Sequence, residues 1–284
     1  MAHTHQHTPH PDHHEHGGDS GQAEILDLDA EVLAEHTASL IAWLPLRSAP
    51  RRIVDLGCGT GAGTFALLAR FPDAHVTAVD TSPGHLRSLH EKARALGVEG
   101  RVRTVAADLD SDHWPDLGTP DLVWASASMH HMADPGRALR SVRALLAPAG
   151  LFAVVELAGF PRFLPADAPE SRLEERAHAA TDAFHAEHVP HRGADWGPLL
   201  TAAGFTVEAE RTLRVDIPGG RDAAIGRYAH SSLQRVRAVA APGLAPEDLA
   251  ALDTLLDPNS PNSLLRREDL TVRTERAIWA ARRA

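Results

Sequence analysis

Between residues 50 and 160 short apolar runs alternate with longer stretches of helical period, and this alternation restricts the fold more than any other feature. Strands are expected at Arg52–Leu56, His75–Asp80, Val102–Ala106, 121–125 and 150–157, with helices at 61–70, 83–96 and 137–146 between them. Strands joined through helices in this order form a parallel sheet with right-handed crossovers and helices on both faces. Ligands of such a sheet bind beyond the carboxyl ends of its strands.

The flanks are less regular. Residues 1–22 carry seven histidines (His3, His5, His7, His10, His13, His14 and His16) and few apolar groups. Such a tail gains too little from burial to offset its ordering entropy, so disorder is expected. Its neutral imidazoles suit weak binding of zinc, nickel or copper. Residues 23–48 repeat apolar positions at helical spacing up to Pro45, predicting one or two helices beside the core. After the fifth strand, helical insertions at 160–192 and 219–268 bracket strand material at 205–208 and 212–216. A closing strand is expected at 271–280. The division is thus a tail and a single domain over 23–284, with a ligand-binding core at 50–160 and the insertions as caps.

The segment from Ile53 to Thr64 reads IVDLGCGTGAGT. An apolar strand enters a glycine turn that opens a helix, exposing backbone amides to an anionic group. The spacing Gly57-x-Gly59-x-x-Ala62 also satisfies the looser dinucleotide fingerprint, so a nicotinamide-dependent oxidoreductase is an alternative. Asp55 argues against it, because a carboxylate repels a pyrophosphate and attracts an ammonium group.

This run resembles motif I of the class I S-adenosylmethionine-dependent methyltransferases. The resemblance covers residues 50–160 and implies a Rossmann-like, doubly wound, mainly parallel seven-stranded α/β sheet. It implies S-adenosyl-L-methionine as cofactor, with Gly57, Gly59 and Gly61 around its methionyl portion and Asp55 near its amino group. Asp80, closing the second strand, then takes the ribose hydroxyls, with Thr81 near the adenine. Asp108 and the Leu109 backbone fall where the family contacts adenine. The stretch from Ser126 to Pro135, SASMHHMADP, is similar to the N-A-x-x-H-H-x-x-D-P pattern of small-molecule members, with Ser126 in place of asparagine.

His130 and His131 follow the fourth strand, near the expected methyl group, and are candidate general bases with Glu156 behind them. Successive side chains diverge, so at most one is expected to face the pocket. His178, His185, His188 and His191, with Glu187, suggest a metal site less strongly than they suggest exposed helical histidines, and no metal is assigned. A non-catalytic metal-handling protein using the tail is the remaining alternative.

Thirty-eight acids against 28 Lys and Arg give a formal charge of −10, which disfavours nucleic-acid and anionic membrane partners. Lys92 is the only lysine, so nearly all cations are arginines, and Arg266-Arg267 and Arg282-Arg283 are too short to form a basic patch. The single cysteine, Cys58, permits no intramolecular disulfide, and the strongest apolar stretch is interrupted by Pro148, Gly150 and Glu156. A cytoplasmic enzyme acting on a small molecule is expected. Acceptor and oligomeric state are left open.

Overall fold

The computed structural model describes residues 16–220 and 222–284. Two helices, α1 (His16–Val32) and α2 (Ala34–Trp43), precede an alternating series. It runs β1 (Arg52–Leu56), α3 (Ala62–Arg70), β2 (His75–Asp80), α4 (Pro83–Ala95), β3 (Val102–Ala106), β4 (Leu122–Ser126), α5 (Pro135–Leu145) and β5 (Leu151–Leu157). There follow α6 (Ser171–His188), α7 (Trp196–Ala202), β6 (Phe205–Ile217), α8 (Ala223–Ala240), α9 (Pro246–Leu256) and β7 (Val272–Arg283). The seven strands lie in the order β3-β2-β1-β4-β5-β7-β6. The first five are parallel, and β7 runs antiparallel between β5 and β6. The expected doubly wound, mainly parallel sheet is therefore present.

Two-residue periodicity divides the central strands between two cores. Ile53, Leu122, Trp124 and Leu151 join the α1, α2, α3 and α8 residues Leu28, Ile41, Leu67 and Tyr228 on one face. Val54, Val123 and Phe152 join Leu139, Val142, Trp196 and Leu200 of α5 and α7 on the other. Being covered on both sides, these strands read as continuous apolar runs, which is why their limits are legible.

Elsewhere the structure corrects the expected limits. The segments 205–208 and 212–216 belong to one strand, β6, with a bulge between Val207 and Ala209. The polar stretch suggesting a break is an edge strand with one face in water. Strand β7 continues to Arg283 because the Arg282 guanidinium is satisfied by Glu208, by the Pro45 carbonyl at 2.8 Å and by the Ala149 carbonyl. Helix α1 starts at His16, inside the segment assigned to the tail, while residues 1–15 lie outside the described residues.

The N-terminal helix is fastened at two points. Asp29 accepts hydrogen bonds from Tyr228 Oη at 2.5 Å and Arg276 Nη2 at 2.6 Å, joining α1 to α8 and β7. Asp27 accepts from Thr60 Oγ1 at 2.5 Å and from Lys92. These ties lay α1 across the glycine turn. Helix α8 packs against both α1 and α6, so both insertions meet on that side of the sheet.

Candidate active site

The turn after β1 depends on Gly57, whose φ is +65° and whose added Cβ would fall 2.4 Å from the Ser128 Cβ. Ser128 cannot yield easily, because its Oγ donates to the Leu56 carbonyl at 2.8 Å. Gly57→Ala thus combines left-handed strain of about 1–2 kcal/mol with overpacking of about 1–3 kcal/mol. An unfolding free energy lower by about 2–5 kcal/mol is expected in urea titration; an unchanged midpoint would contradict the packing described. Beyond the turn, Gly61 caps α3 in the left-handed region.

Asp80, at the end of β2, braces this turn. Its Oδ2 accepts from the Gly59 N–H at 2.8 Å and its Oδ1 from the Ser82 N–H at 2.9 Å, with His85 Nδ1 at 3.4 Å. Burial pushes its carboxyl up, but the donors His85, Ser82 and Gly59 outweigh that and hold it below the usual carboxylate range. An ionised carboxylate with unused lone pairs therefore stands beside the glycine amides, a combination fitting a ribose and its attached amino-acid chain.

Asp55 is 2% exposed and lies beneath the first turn of α3, its Oδ2 accepting from Thr64 Oγ1 at 2.6 Å. It is thus packed under the turn and not on its open rim. Burial raises its carboxyl to about 7, with the Asp80 charge adding and the Thr64 hydrogen bond opposing. Because the folded value exceeds the ordinary 3.8, the folded state holds the proton more tightly than the unfolded chain. Stability is lost as pH rises from about 4 through 7. Asp55→Asn removes this cost. It should stabilise the protein by about 2–4 kcal/mol at pH 8 and by nearly nothing at pH 4, measured by denaturant titration at both values; equal effects at the two pH values would refute it.

The other expected cofactor contacts lie at the carboxyl ends of β2, β3 and β4. Thr81 is exposed at the rim. Asp108 is exposed too, and its Oδ1 accepts from the Asp110 N–H at 2.8 Å, a local turn that shapes the loop. The Leu109 side chain is buried in the second core, and its carbonyl accepts from Trp114 Nε1 at 3.1 Å. Ser126 ends β4 half-buried and is followed by Ala127 at φ +51°.

The two histidines differ in burial, but their rings lie against each other, which corrects the divergence expected of successive side chains. His130 is buried, its Nδ1 2.5 Å from Glu156 Oε2, while Glu156 Oε1 accepts from the N–H groups of Met129 at 2.8 Å and His130 at 3.3 Å. An Nδ1–H donated to Glu156 leaves Nε2 as an acceptor. The His131 ring lies 4.2 Å from that of His130, with one side open to solvent. Desolvation of its other side, His130, and the cations Arg192 and Arg235 together lower its pKa to about 4, against the pull of Glu156.

Arg192 and Arg235, both carried by cap segments, were not singled out from sequence. No periodicity distinguishes these arginines in a chain whose cations are almost all arginine. The cap histidines do not converge on a metal. His185 and His188 pair through Nδ1 with carbonyls one turn back, and no group of three His, Cys, Asp or Glu able to hold a metal occurs among the described residues. The Glu187 side chain lies outside the described residues. No described helix is long and apolar enough to cross a membrane.

The family model described as a methyltransferase domain matches residues 54–152. A trans-aconitate 2-methyltransferase of Methylobacterium radiotolerans is 42% identical over 117 residues, a match covering 41% of this chain and 42% of that protein. Another, from Methylobacterium nodulans, is 32% identical over 67% of this chain and 71% of that protein. Among solved structures, a methyltransferase from Thiobacillus denitrificans shares the fold with a TM-score of 0.51 at 18% identity, over 88% of this chain and 91% of that one.

Proposed function

The chain belongs to the class I S-adenosylmethionine-dependent methyltransferase family, and from that premise we propose that it methylates a small carboxylic acid at the carboxyl edge of its sheet. The observation carrying this reading is the Asp80 carboxylate bonded to the Gly59 amide, which joins the ends of β1 and β2 into one cradle. Gly57, Gly59, Gly61 and Asp80 would hold the cofactor, which supplies an electrophilic methyl group on a sulfonium. The acid class follows the names of the relatives, trans-aconitate 2-methyltransferases, and the two cap arginines near His131.

A carboxylate is already deprotonated at neutral pH and needs no general base, so alignment of acceptor oxygen, methyl and sulfur is the main task. In this reading His130 is a positioning residue, with Glu156 fixing its ring and the turn after β4, and His131 lines the rim. Nucleic acid is not the acceptor and the setting is the reducing cytoplasm, readings that rest on the charge of −10 and the single cysteine. The nicotinamide and metal-handling alternatives find no support among the relatives. Calorimetric titration with S-adenosylmethionine and, separately, NAD tests the proposal: one-to-one binding of the first is expected, and binding of NAD alone would overturn it.

A further inference from the structure

Phe160, three residues beyond the end of β5, gathers polar groups that the fold leaves unsatisfied. The Arg192 guanidinium lies 3.3 Å above its ring, and Arg192 Nη2 is buried without a hydrogen-bond partner. The His178 ring centroid is 5.5 Å away; the side chain is 2% exposed, and neither ring nitrogen has a hydrogen-bond partner, the Glu174 carboxylate standing 3.9 Å from Nε2. Arg162 has a buried Nη1 equally without a partner, and with Phe160 it lines a cavity of about 380 Å³. Buried polar groups are nearly always paired, and each unpaired one destabilises the fold. Arg162 and Arg192 both act electrostatically on His178, so the three side chains form one buried polar set beside Phe160 that suits an acceptor-rich ligand.

The cluster is held in place and close to the expected methyl-transfer region. Glu174 of α6 accepts from the Phe163 and Leu164 N–H groups at 2.7 and 3.2 Å, fixing the segment that bears Phe160 and Arg162. Gly193, next to Arg192, approaches the Ala158 carbonyl, two residues past Glu156. Asp182 and Glu156 are acids close enough to act on Arg192, while Arg235 and Arg276 repel it. Arg276 is already engaged by Asp29.

We propose that Arg162, His178 and Arg192, arranged around Phe160, are the residues that select the acceptor, recognising a carboxylate of a small organic acid. This rests on the methyl-transfer reading and deepens it. A guanidinium presents paired N–H groups matching the two oxygens of a carboxylate, which a neutral ester cannot replace. The imidazole supplies a further polar contact, and the Phe160 ring supports the planar part of the acid.

The test is calorimetry on the full chain with fumarate, citrate and dimethyl fumarate as probes, with and without S-adenosylhomocysteine, for the native protein and for Arg192→Gln and Arg192→Lys. The native protein is expected to bind at least one of the two acids and not the ester. Arg192→Gln should weaken acid binding roughly 10- to 100-fold, and Arg192→Lys should restore part of it, as for the loss of a charge-assisted hydrogen bond. Affinity for S-adenosylhomocysteine should be unchanged in both variants, which shows an intact fold. Equal binding of ester and acid, acid binding indifferent to Arg192→Gln, or binding of S-adenosylhomocysteine with no acid bound would each overturn the assignment. If acids bind through Arg192 but S-adenosylhomocysteine does not bind, the acid site stands and the methyl-transfer reading falls.

Discussion

Asp80→Ala should bind S-adenosylmethionine at least about 100-fold more weakly than the native chain, a loss on the order of 3 kcal/mol. Two effects combine. The variant lacks the acceptor oxygens offered to the ribose, and it frees the Gly59 and Ser82 amides, which Asp80 holds at 2.8 and 2.9 Å. Asp80→Asn separates them: its amide retains one acceptor oxygen for the turn but replaces the other with a donor. It should keep more of the native melting temperature than Asp80→Ala while still losing most of the affinity. Calorimetry beside thermal unfolding measures both, and native affinity in Asp80→Ala would remove the basis for the cradle.

Glu156→Ala should lower the unfolding free energy by about 3–5 kcal/mol, because it leaves several buried hydrogen-bond donors unpaired at about 1–3 kcal/mol each. Glu156 is 2% exposed, and its two oxygens serve the Met129 N–H, the His130 N–H and the His130 ring. Truncation strands all three donors in a region where Met129 and His130 are themselves buried. Glu156→Gln keeps an oxygen for the backbone amides and should lose less than half as much. Turnover should fall in both variants, because the turn after β4 loses its anchor, whereas affinity for S-adenosylhomocysteine should change less in Glu156→Gln. A Glu156→Ala protein with the native urea midpoint would show that the pair does not hold this edge of the sheet.

How much of this was legible in the sequence depends on what each residue's neighbours are. Strands β1, β2 and β3 match their expected limits: β1 and β2 have buried apolar interiors between helices, and the edge strand β3 keeps a short β-branched run, VRTVA. Strand β6 was divided because its Glu208–Arg211 stretch is polar, and only pairing with β7 shows that it continues. Asp80 and the glycines stood out singly, since spacing to the strand ends is a local property. The Gly59–Asp80 bond crosses 21 positions and the His130–Glu156 bond 26, so neither contact has a sequence signature. Asp55 could be placed at the end of β1 from its spacing to the glycines, but its burial beneath α3 and its bond to Thr64 could not. Arg162 and Arg192 are recognisable only after folding, when burial leaves guanidinium nitrogens unpaired.

The most direct measurement incubates the native protein with S-adenosylmethionine bearing a trideuterated methyl group and a panel of small di- and tricarboxylic acids, with their neutral esters and comparable alcohols as controls, and identifies products by mass spectrometry. S-adenosylhomocysteine is expected in equal amount with a trideuteromethyl ester of an acid in the panel. Label transferred only to a neutral acceptor, or no label transferred to any acid by a protein that binds the cofactor, would contradict it.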